Sequence, residues 1–459
     1  MKNYDVAILG AGPGGYVAAI KAAQNGLKTA IIEKEAIGGV CLNWGCIPTK
    51  SLLKSAKVYT QFMHAKDYGI DLKSKDDITP NWKAIIKRKN RIVRRLTGGV
   101  KMLLKKNNVD VYNGEGEVLT KNEIKIGDDK IKTKNIILST GASPILPPID
   151  GLKKAYDNNF LMTSKELLDI DKIPQDLVAI GGGVIGLEFA TIFNAFGTKV
   201  TIIEREDRIL LNVDDDIRNN MLKLIKKDKI NVLTDSTVTK IGKNELTYKN
   251  SNGEEKNIKS DKILLSVGMK ANTKGYEKLK LNTEKNFVKI NGQMQTSIEN
   301  VYAIGDMNGK MMLAHVASHQ GIIAINHILG EKDSMNYKQI PSAIYSFPEI
   351  AQIGYTETEI KAENIEYKTA TFPLQANGKA LSSSETDGFI KIIASKKYNE
   401  ILGVHILADN ASDIISEAVI TMKLEGTADE IAKSVHPHPT ISEIFHEAAL
   451  GIVDKSIHI

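Results

Sequence analysis

Apolar positions along this chain change period twice, in the same order each time. Residues 5–9 form a short apolar run of the kind a buried strand needs. A glycine-rich hexapeptide follows, then residues 16–25 place apolar side chains at helical spacing, with Gly26 as the stop. A second apolar run at 29–32 ends on Glu33. The progression returns at 177–180, with glycines from 181, a helical pattern over 187–196 stopped by Gly197, and a run at 200–203 ending on Glu204. The offset is 171 residues, and 18 residues separate the last glycine from the acid in both copies. Elsewhere the pattern is plainer. Residues 60–110 are basic and helix-like, with Lys87-Arg88-Lys89 and Arg94-Arg95, and a solvated helix face is favoured there over an anion site. Residues 110–140 alternate as strands do. Residues 340–353 and 389–407 read as strands, and 410–424 and 442–450 as helices, which predicts a third, mixed α/β domain from about 341 onward.

The repeated unit has a specific physical use. Gly10, Gly12 and Gly15 in the first copy, and Gly181, Gly183 and Gly186 in the second, fit a strand–turn–helix that binds a dinucleotide. The first glycine permits the turn, the second lets a pyrophosphate approach the backbone, and the third lets helix pack on strand. Phosphate oxygens then meet free N–H groups at the positive end of the helix. A lone glycine fingerprint is weak, but two copies in matched contexts are strong. Two sites suggest two dinucleotides, one passing electrons to the other. A carboxylate at Glu204 favours the free 2′-hydroxyl of NAD, although Arg205 and Arg208 stand close by.

Composition narrows the classes. The 459 residues suggest roughly three domains. A hydrophobic share of 42% supports sizeable cores, and a net charge of +6 is too mild to argue for nucleic acid or membrane. The apolar stretch at 6–20 superficially resembles a signal peptide, but its glycines are better explained by the dinucleotide turn. No apolar run reaches the roughly 18 residues of a spanning helix. With only Cys41 and Cys46 present, a disulfide-stapled scaffold and a cysteine-rich metal site are excluded, and no metal site is expected.

Those two cysteines lie five residues apart, just before a helical pattern beginning near Lys50, with Pro48 in its first turn. The spacing permits a disulfide if the geometry suits, and a helix N-terminus would lower the pKa of Cys46. Two inert buried thiols are the other reading. Near the far end stands His436-Pro437-His438-Pro439-Thr440, followed by Glu443. A loop histidine with a satisfied hydrogen bond is the plain reading, while Glu443 could orient an imidazole as a base.

Taken together, these motifs resemble the dihydrolipoamide dehydrogenases, within the flavin disulfide reductases that include glutathione reductase. The resemblance spans nearly the whole chain, and its most specific part is the segment from Cys41 through Cys46 to Lys50. It implies an α/β fold with two Rossmann-like dinucleotide-binding domains and a C-terminal mixed α/β dimerisation domain. The implied divisions are 1–145 (first part of the FAD-binding domain), 146–270 (NAD-binding), 271–340 (central, FAD-side) and 341–459 (interface). FAD would meet Gly10, Gly12, Gly15, Glu33, Lys50, Gly116, Thr140, Gly141, Asp306 and Ala314. NAD would meet Gly181, Gly183, Gly186, Glu188, Glu204 and Gly268. Trp44, Ala142 and the stretch 268–273 depart from the family's frequent residues without removing a reacting group.

The resemblance implies oxidation of protein-bound dihydrolipoamide by NAD through a Cys41–Cys46 disulfide and FAD. His438, oriented by Glu443, would be the base and would act on the partner subunit's cysteines in a homodimer. Lys50 and Glu188 would pair beside the flavin, and His436 has no implied role. The expected partners are lipoyl domains of 2-oxoacid dehydrogenase acyltransferases or the glycine cleavage carrier protein, with no nucleic acid and no membrane. A transient catalytic disulfide fits a cytoplasmic enzyme, and neither presequence nor fused lipoyl domain is expected. A glutathione-type reductase would instead carry arginines in place of Glu204, a mercuric reductase a terminal cysteine pair, and a flavin-bearing scaffold would need neither the cysteines nor His438.

Overall fold

The computed structural model describes residues 1–72, 74 and 78–459. Its first sheet grows from the predicted repeat. Strand β1 (Lys2–Leu9) leads into helix α1 (Pro13–Gln24), and β2 (Thr29–Glu33) returns parallel beside β1. Helices α2 (Gly39–Trp44), α3 (Cys46–Met63) and α4 (Trp82–Lys106) follow, and β3 (Asp110–Asn113) extends the sheet past β2. On the other side of β1 lies the long strand Asp129–Leu138, the last of three strands in the 110–140 region that turn back antiparallel on one another. Its end also pairs with Val301–Ala303, so a segment from beyond the second repeat completes the first sheet. Helix Ala314–Ile328 then packs on α1, where Gly14 and Gly321 permit backbone-close contact.

The second sheet is parallel throughout. Its order is Asn231–Leu233, Lys199–Ile203, Asp176–Ile180, Lys262–Leu265 and Leu161–Met162. Parallel strands covered on both faces are almost wholly apolar, and Leu177 to Ile180 are all buried. A separate three-stranded antiparallel sheet spans Thr237 to Lys259. The two connections between the first and second sheets, Ala142–Pro144 and Met269–Ala271, pair with each other as an antiparallel ribbon.

The C-terminal sheet has five antiparallel strands, ordered Ser342–Ile344, Glu349–Gly354, Ile401–Ala408, Phe389–Ser395 and Tyr367–Pro373. The expected strand at 340–353 is thus two strands around a turn, and 389–407 is a hairpin. The expected helix at 410–424 is two helices, Ala411–Ile414 and Ser416–Lys423, separated at the buried Ile415. Helix Glu443–Val453 covers the sheet, burying Ile444, Phe445, Ala448 and Ala449. The helix-like stretch at 60–110 resolves into the end of α3, a short turn and α4. Its positions 73 and 75–77 lie outside the described residues.

One buried cation fastens the second sheet's unit to the C-terminal sheet. Lys391 Nζ, on the central part of Phe389–Ser395, lies 3.0 Å from Asp214, 2.6 Å from Asp216 and 2.6 Å from Glu357. Lys391 and Asp214 are both almost fully buried. Burial opposes the charge on Glu357, but Lys361, Lys391 and Tyr367 outweigh it and hold the carboxyl down at about 2. A buried charge left without its partner typically costs about 3–5 kcal/mol. Lys391→Ala is therefore expected to destabilise by about 3 kcal/mol, read from denaturant unfolding at pH 7. Because the folded pKa of Glu357 lies below its ordinary 4.5, its contribution is complete above that pH and drains away as pH falls toward about 2. Acid titration of unfolding midpoints for Glu357→Gln against the parent checks the sign: the gap between them should narrow on acidification.

Candidate active site

The two glycine turns superpose in every local feature that matters to a phosphate. Gly10 and Gly181 have φ of +105° and +106°, a region glycine enters without penalty. Their N–H groups donate to Ile32 and Ile203 at 2.8 Å, tying each turn to the end of its second strand. A Cβ on Gly15 would lie 1.9 Å from the Gly10 carbonyl oxygen, and one on Gly186 would lie 2.1 Å from that of Gly181. At Gly12 and Gly183 a Cβ would meet nothing within 4 Å, so these glycines border open space.

The helices behind the turns are left receptive. Neither α1 nor helix Val184–Ala195 has a side-chain cap or an acid in its first turn. By contrast, Asn81, Thr163, Asp214, Thr356, Asn377 and Thr427 cap other helices with their own side chains. Free N–H groups at a helix start suit an anion. Glu33 accepts from the Ala11 and Glu35 N–H groups at 2.8 Å each, and Glu204 accepts from Gly182 at 2.7 Å and Glu206 at 2.9 Å. Each carboxylate is thus fixed at the lip of its turn, where a ribose diol would sit. Arg205 and Arg208 instead pair with Glu206 and Asp207.

Cys46 is the first residue of α3, so the helix starts four residues earlier than the sequence predicts. Gly45, with φ −140° and ψ −115°, makes the break between α2 and α3, and a Cβ there would press on the Val40 carbonyl. Cys41 lies on α2, and both cysteines are free thiols. The Cys41 S–H hydrogen-bonds Cys46, which together with burial pushes the Cys41 thiol far up. Accepting that bond, and facing Lys50, hold Cys46 below the ordinary thiol value against the effect of burial. Lys50 Nζ pairs with both Glu188 oxygens at 2.8 and 2.9 Å and lies 4.3 Å from the Tyr345 ring centroid. The Tyr345 N–H donates to Glu188 at 3.1 Å.

The remaining predicted positions divide by what surrounds them. Asp306 is half-buried with no protein partner for its carboxylate among the described residues, and burial pushes it up to about 6. An orphaned carboxylate of this kind fits a hydroxyl-bearing ligand. Ala314 is the first residue of its helix, with an uncapped N-terminus. Gly141 has φ +68° and open space around it, and Thr140 Oγ1 donates to the Asn272 carbonyl at 2.7 Å. Gly268 accepts from the Ile145 N–H at 3.0 Å at the ribbon's start. Gly116 is a packing position, since its Cβ would lie 2.5 Å from Leu9 and 3.1 Å from Ile32.

His438 is 78% exposed, and its Nδ1 is 2.9 Å from Glu443 Oε1. Glu443 also accepts from the Thr440 N–H at 2.8 Å, and these contacts keep its carboxyl below the ordinary value despite partial burial. His436 is separately engaged, with Nε2 2.6 Å from Glu417. Three supporting residues carry no motif signal. Gln320, fully buried, accepts from the Gly305 N–H at 2.7 Å and so braces the Asp306 turn. Asn272 clasps Thr140 and Ser143, and Tyr345 joins the Lys50 pair. A polar residue at a core position of the apolar helix 314–328 was the one readable hint, for Gln320.

The glycine geometry separates two kinds of variant. Gly15→Ala and Gly186→Ala are expected to disrupt folding of their units, since backbone must move. Gly12→Ala and Gly183→Ala are expected to fold with near-parental melting yet lose at least tenfold in dinucleotide affinity, measured by titration calorimetry with FAD and NADH respectively.

Comparison with known proteins gives the same reading. Residues 4–321 match the pyridine nucleotide-disulphide oxidoreductase family, and residues 340–449 match its dimerisation domain. The dihydrolipoyl dehydrogenase of Bacillus subtilis is 41% identical over 99% of both chains. That of Acholeplasma laidlawii is 51% identical over 72% of this chain and 97% of its own. Among solved structures, LpdA from Mycobacterium tuberculosis has a TM-score of 0.89 at 25% identity, covering 98% of this chain and all of that one. The chain belongs to the pyridine nucleotide-disulphide oxidoreductase family.

Proposed function

We propose that this protein is a dihydrolipoyl dehydrogenase that oxidises a dihydrolipoyl group on a carrier protein with NAD. The observation that carries the reading is a pair of thiols in contact across the break between α2 and α3, with the Lys50–Glu188 pair one turn along α3 and a dinucleotide turn on either side in the chain. The divisions at 1–145, 146–270, 271–340 and 341–459 are the corresponding functional units. The first fingerprint with Glu33, Lys50, Thr140, Gly141, Asp306 and Ala314 would hold FAD, while Gly116 packs against Leu9 and Ile32. The second, with Glu188, Glu204 and Gly268, would hold NAD. The bound cofactors supply a two-electron relay from the thiol pair to NAD, delivered as hydride.

The chain's own residues handle sulfur and protons. In the oxidised enzyme Cys41 and Cys46 are joined as a disulfide. His438 donates its Nδ1–H to Glu443, which leaves Nε2 to take a proton from the dihydrolipoyl thiol. The resulting thiolate attacks Cys41 Sγ, forming a mixed disulfide as the Cys41–Cys46 bond breaks. Cys46 leaves as a thiolate, stabilised by Lys50 and the N-terminus of α3. The second lipoyl thiol then displaces Cys41, its proton passing to the departing Cys41 sulfur, which releases cyclic lipoyl product and leaves a Cys41 thiol beside the Cys46 thiolate. Because His438 projects into solvent from the dimerisation domain, it serves the cysteines of the other subunit of a homodimer. Lipoyl domains of 2-oxoacid dehydrogenase acyltransferases or the glycine cleavage carrier protein are the partners, and the setting is cytoplasmic. Among the described residues no helix is long and apolar enough to cross a membrane.

Anaerobic lipoamide reduction with NADH and NADPH side by side tests the reading. Turnover with NADH at least tenfold above that with NADPH is expected, and turnover with NADPH alone would overturn it. Cys46→Ser should abolish lipoamide turnover while keeping the flavin absorbance of the purified protein. Glu443→Gln should lower kcat by about 10²-fold, in the range typical of acid–base assistance.

A further inference from the structure

Helix α4 concentrates charge in a way no other part of the chain does. Its 25 residues contain ten Lys or Arg and no Asp or Glu. The chain's net charge is +6, and α4 alone supplies +10, so everything else sums to −4. Two of the ten are engaged internally. Lys89 is buried and reaches the Leu168 carbonyl at 2.8 Å, and Arg88 Nη1 donates to the Ser51 carbonyl at 3.1 Å and to its Oγ at 2.9 Å. The rest are exposed and make no ion pair among the described residues.

They are also aligned. At 3.6 residues per turn, Lys83, Lys87, Arg91, Arg94, Lys101 and Lys105 fall within an arc of about 80°, on the side away from the buried Trp82, Lys89 and Val100. The stripe is about 33 Å long at 1.5 Å per residue. Bare like charges on one stripe repel, so this face does not serve the stability of the helix. At its C-terminal end Met102 is exposed beside the cations. Its flank is tied through Arg88 to Ser51, five residues beyond Cys46 on the redox helix.

We propose that the cationic face of α4 is the electrostatic docking surface for the acidic protein domain that carries the dithiol substrate. This rests on the proposed function and names the character of its partner. A local positive stripe on an otherwise slightly negative protein steers an acidic partner to this one place. The Arg88–Ser51 anchorage ties this helix to the one that begins at Cys46, a connection that a membrane or nucleic-acid site has no need of. The exposed Met102 gives a protein surface apolar contact next to the charges.

The test is NAD-dependent oxidation by the intact holoenzyme of two substrates: free dihydrolipoamide, and the same dithiol on an acidic lipoylated domain. The variant is Lys87→Glu/Arg91→Glu/Arg94→Glu, with a glutamine version as the milder control for folding. The expected result is at least a tenfold fall in kcat/KM for the carrier-bound dithiol, a smaller fall for the glutamine version, and loss of salt dependence. Free dihydrolipoamide should stay within twofold. Parallel changes in both substrates, or none in either, overturn the docking surface while leaving the dehydrogenase reading intact. Unchanged carrier kinetics with lost binding to phosphatidylglycerol vesicles or duplex DNA would also overturn it, in favour of another polyanion. A parent enzyme inactive on free dihydrolipoamide would sink the functional reading itself.

Discussion

The Lys50–Glu188 ion pair is the point at which the three parts of this chain are held in register. Lys50 comes from the helix that begins at Cys46, Glu188 from the helix behind the second glycine turn, and the Tyr345 N–H on Glu188 from the C-terminal sheet region. Both partners are largely withdrawn from water, where leaving either alone would be costly. The bidentate contact and the third hydrogen bond meet that demand. One consequence is chemical: the same ammonium that satisfies Glu188 also faces Cys46 and lowers its pKa. The geometry of assembly and the reactivity of the thiol therefore share one cation.

Charge is distributed with a similar division of labour across the molecule. Lys391 with Asp214, Asp216 and Glu357 fixes the second unit to the C-terminal sheet through a buried cluster. The pair His438–Glu443 sits at the other extreme, exposed on the dimerisation domain. An imidazole oriented by a carboxylate but facing solvent is incomplete as a catalytic device within one chain. In the proposed reaction a two-fold dimer would bring this imidazole to the thiols of the other subunit.

Both dinucleotide turns were legible in the sequence because their constraint is local. Steric contact between Gly15 and the Gly10 carbonyl, or Gly186 and that of Gly181, acts within six residues, so it is written as spacing. The C-terminal domain was legible only in part. The spans 340–353 and 389–407 each hold a turn, at residues 346–348 and 396–398, that the recurrence of apolar residues on either side did not reveal. Helix α3 began earlier than expected because Pro48 is tolerated in a first turn and Gly45, not a polar cap, sets the start. Gly116 was singled out for a cofactor, and its observed neighbours are the core side chains of Leu9 and Ile32.

The sequence by itself determined the two strand–turn–helix units, the adjacent thiols and the histidine–glutamate spacing, because each depends on residues within a few turns of one another. Only the tertiary structure decided which remote groups meet. Lys50 found Glu188 across 138 positions, Lys391 found Asp214 across 177, and Gln320 came to brace the turn at Asp306. It also decided that the basic run of α4 is a single bare stripe beside the redox helix, and not a face neutralised by neighbouring acids. These outcomes turn on burial, which sets the cost of an unpaired charge, and burial is a property of the packed whole that no local pattern of residues carries.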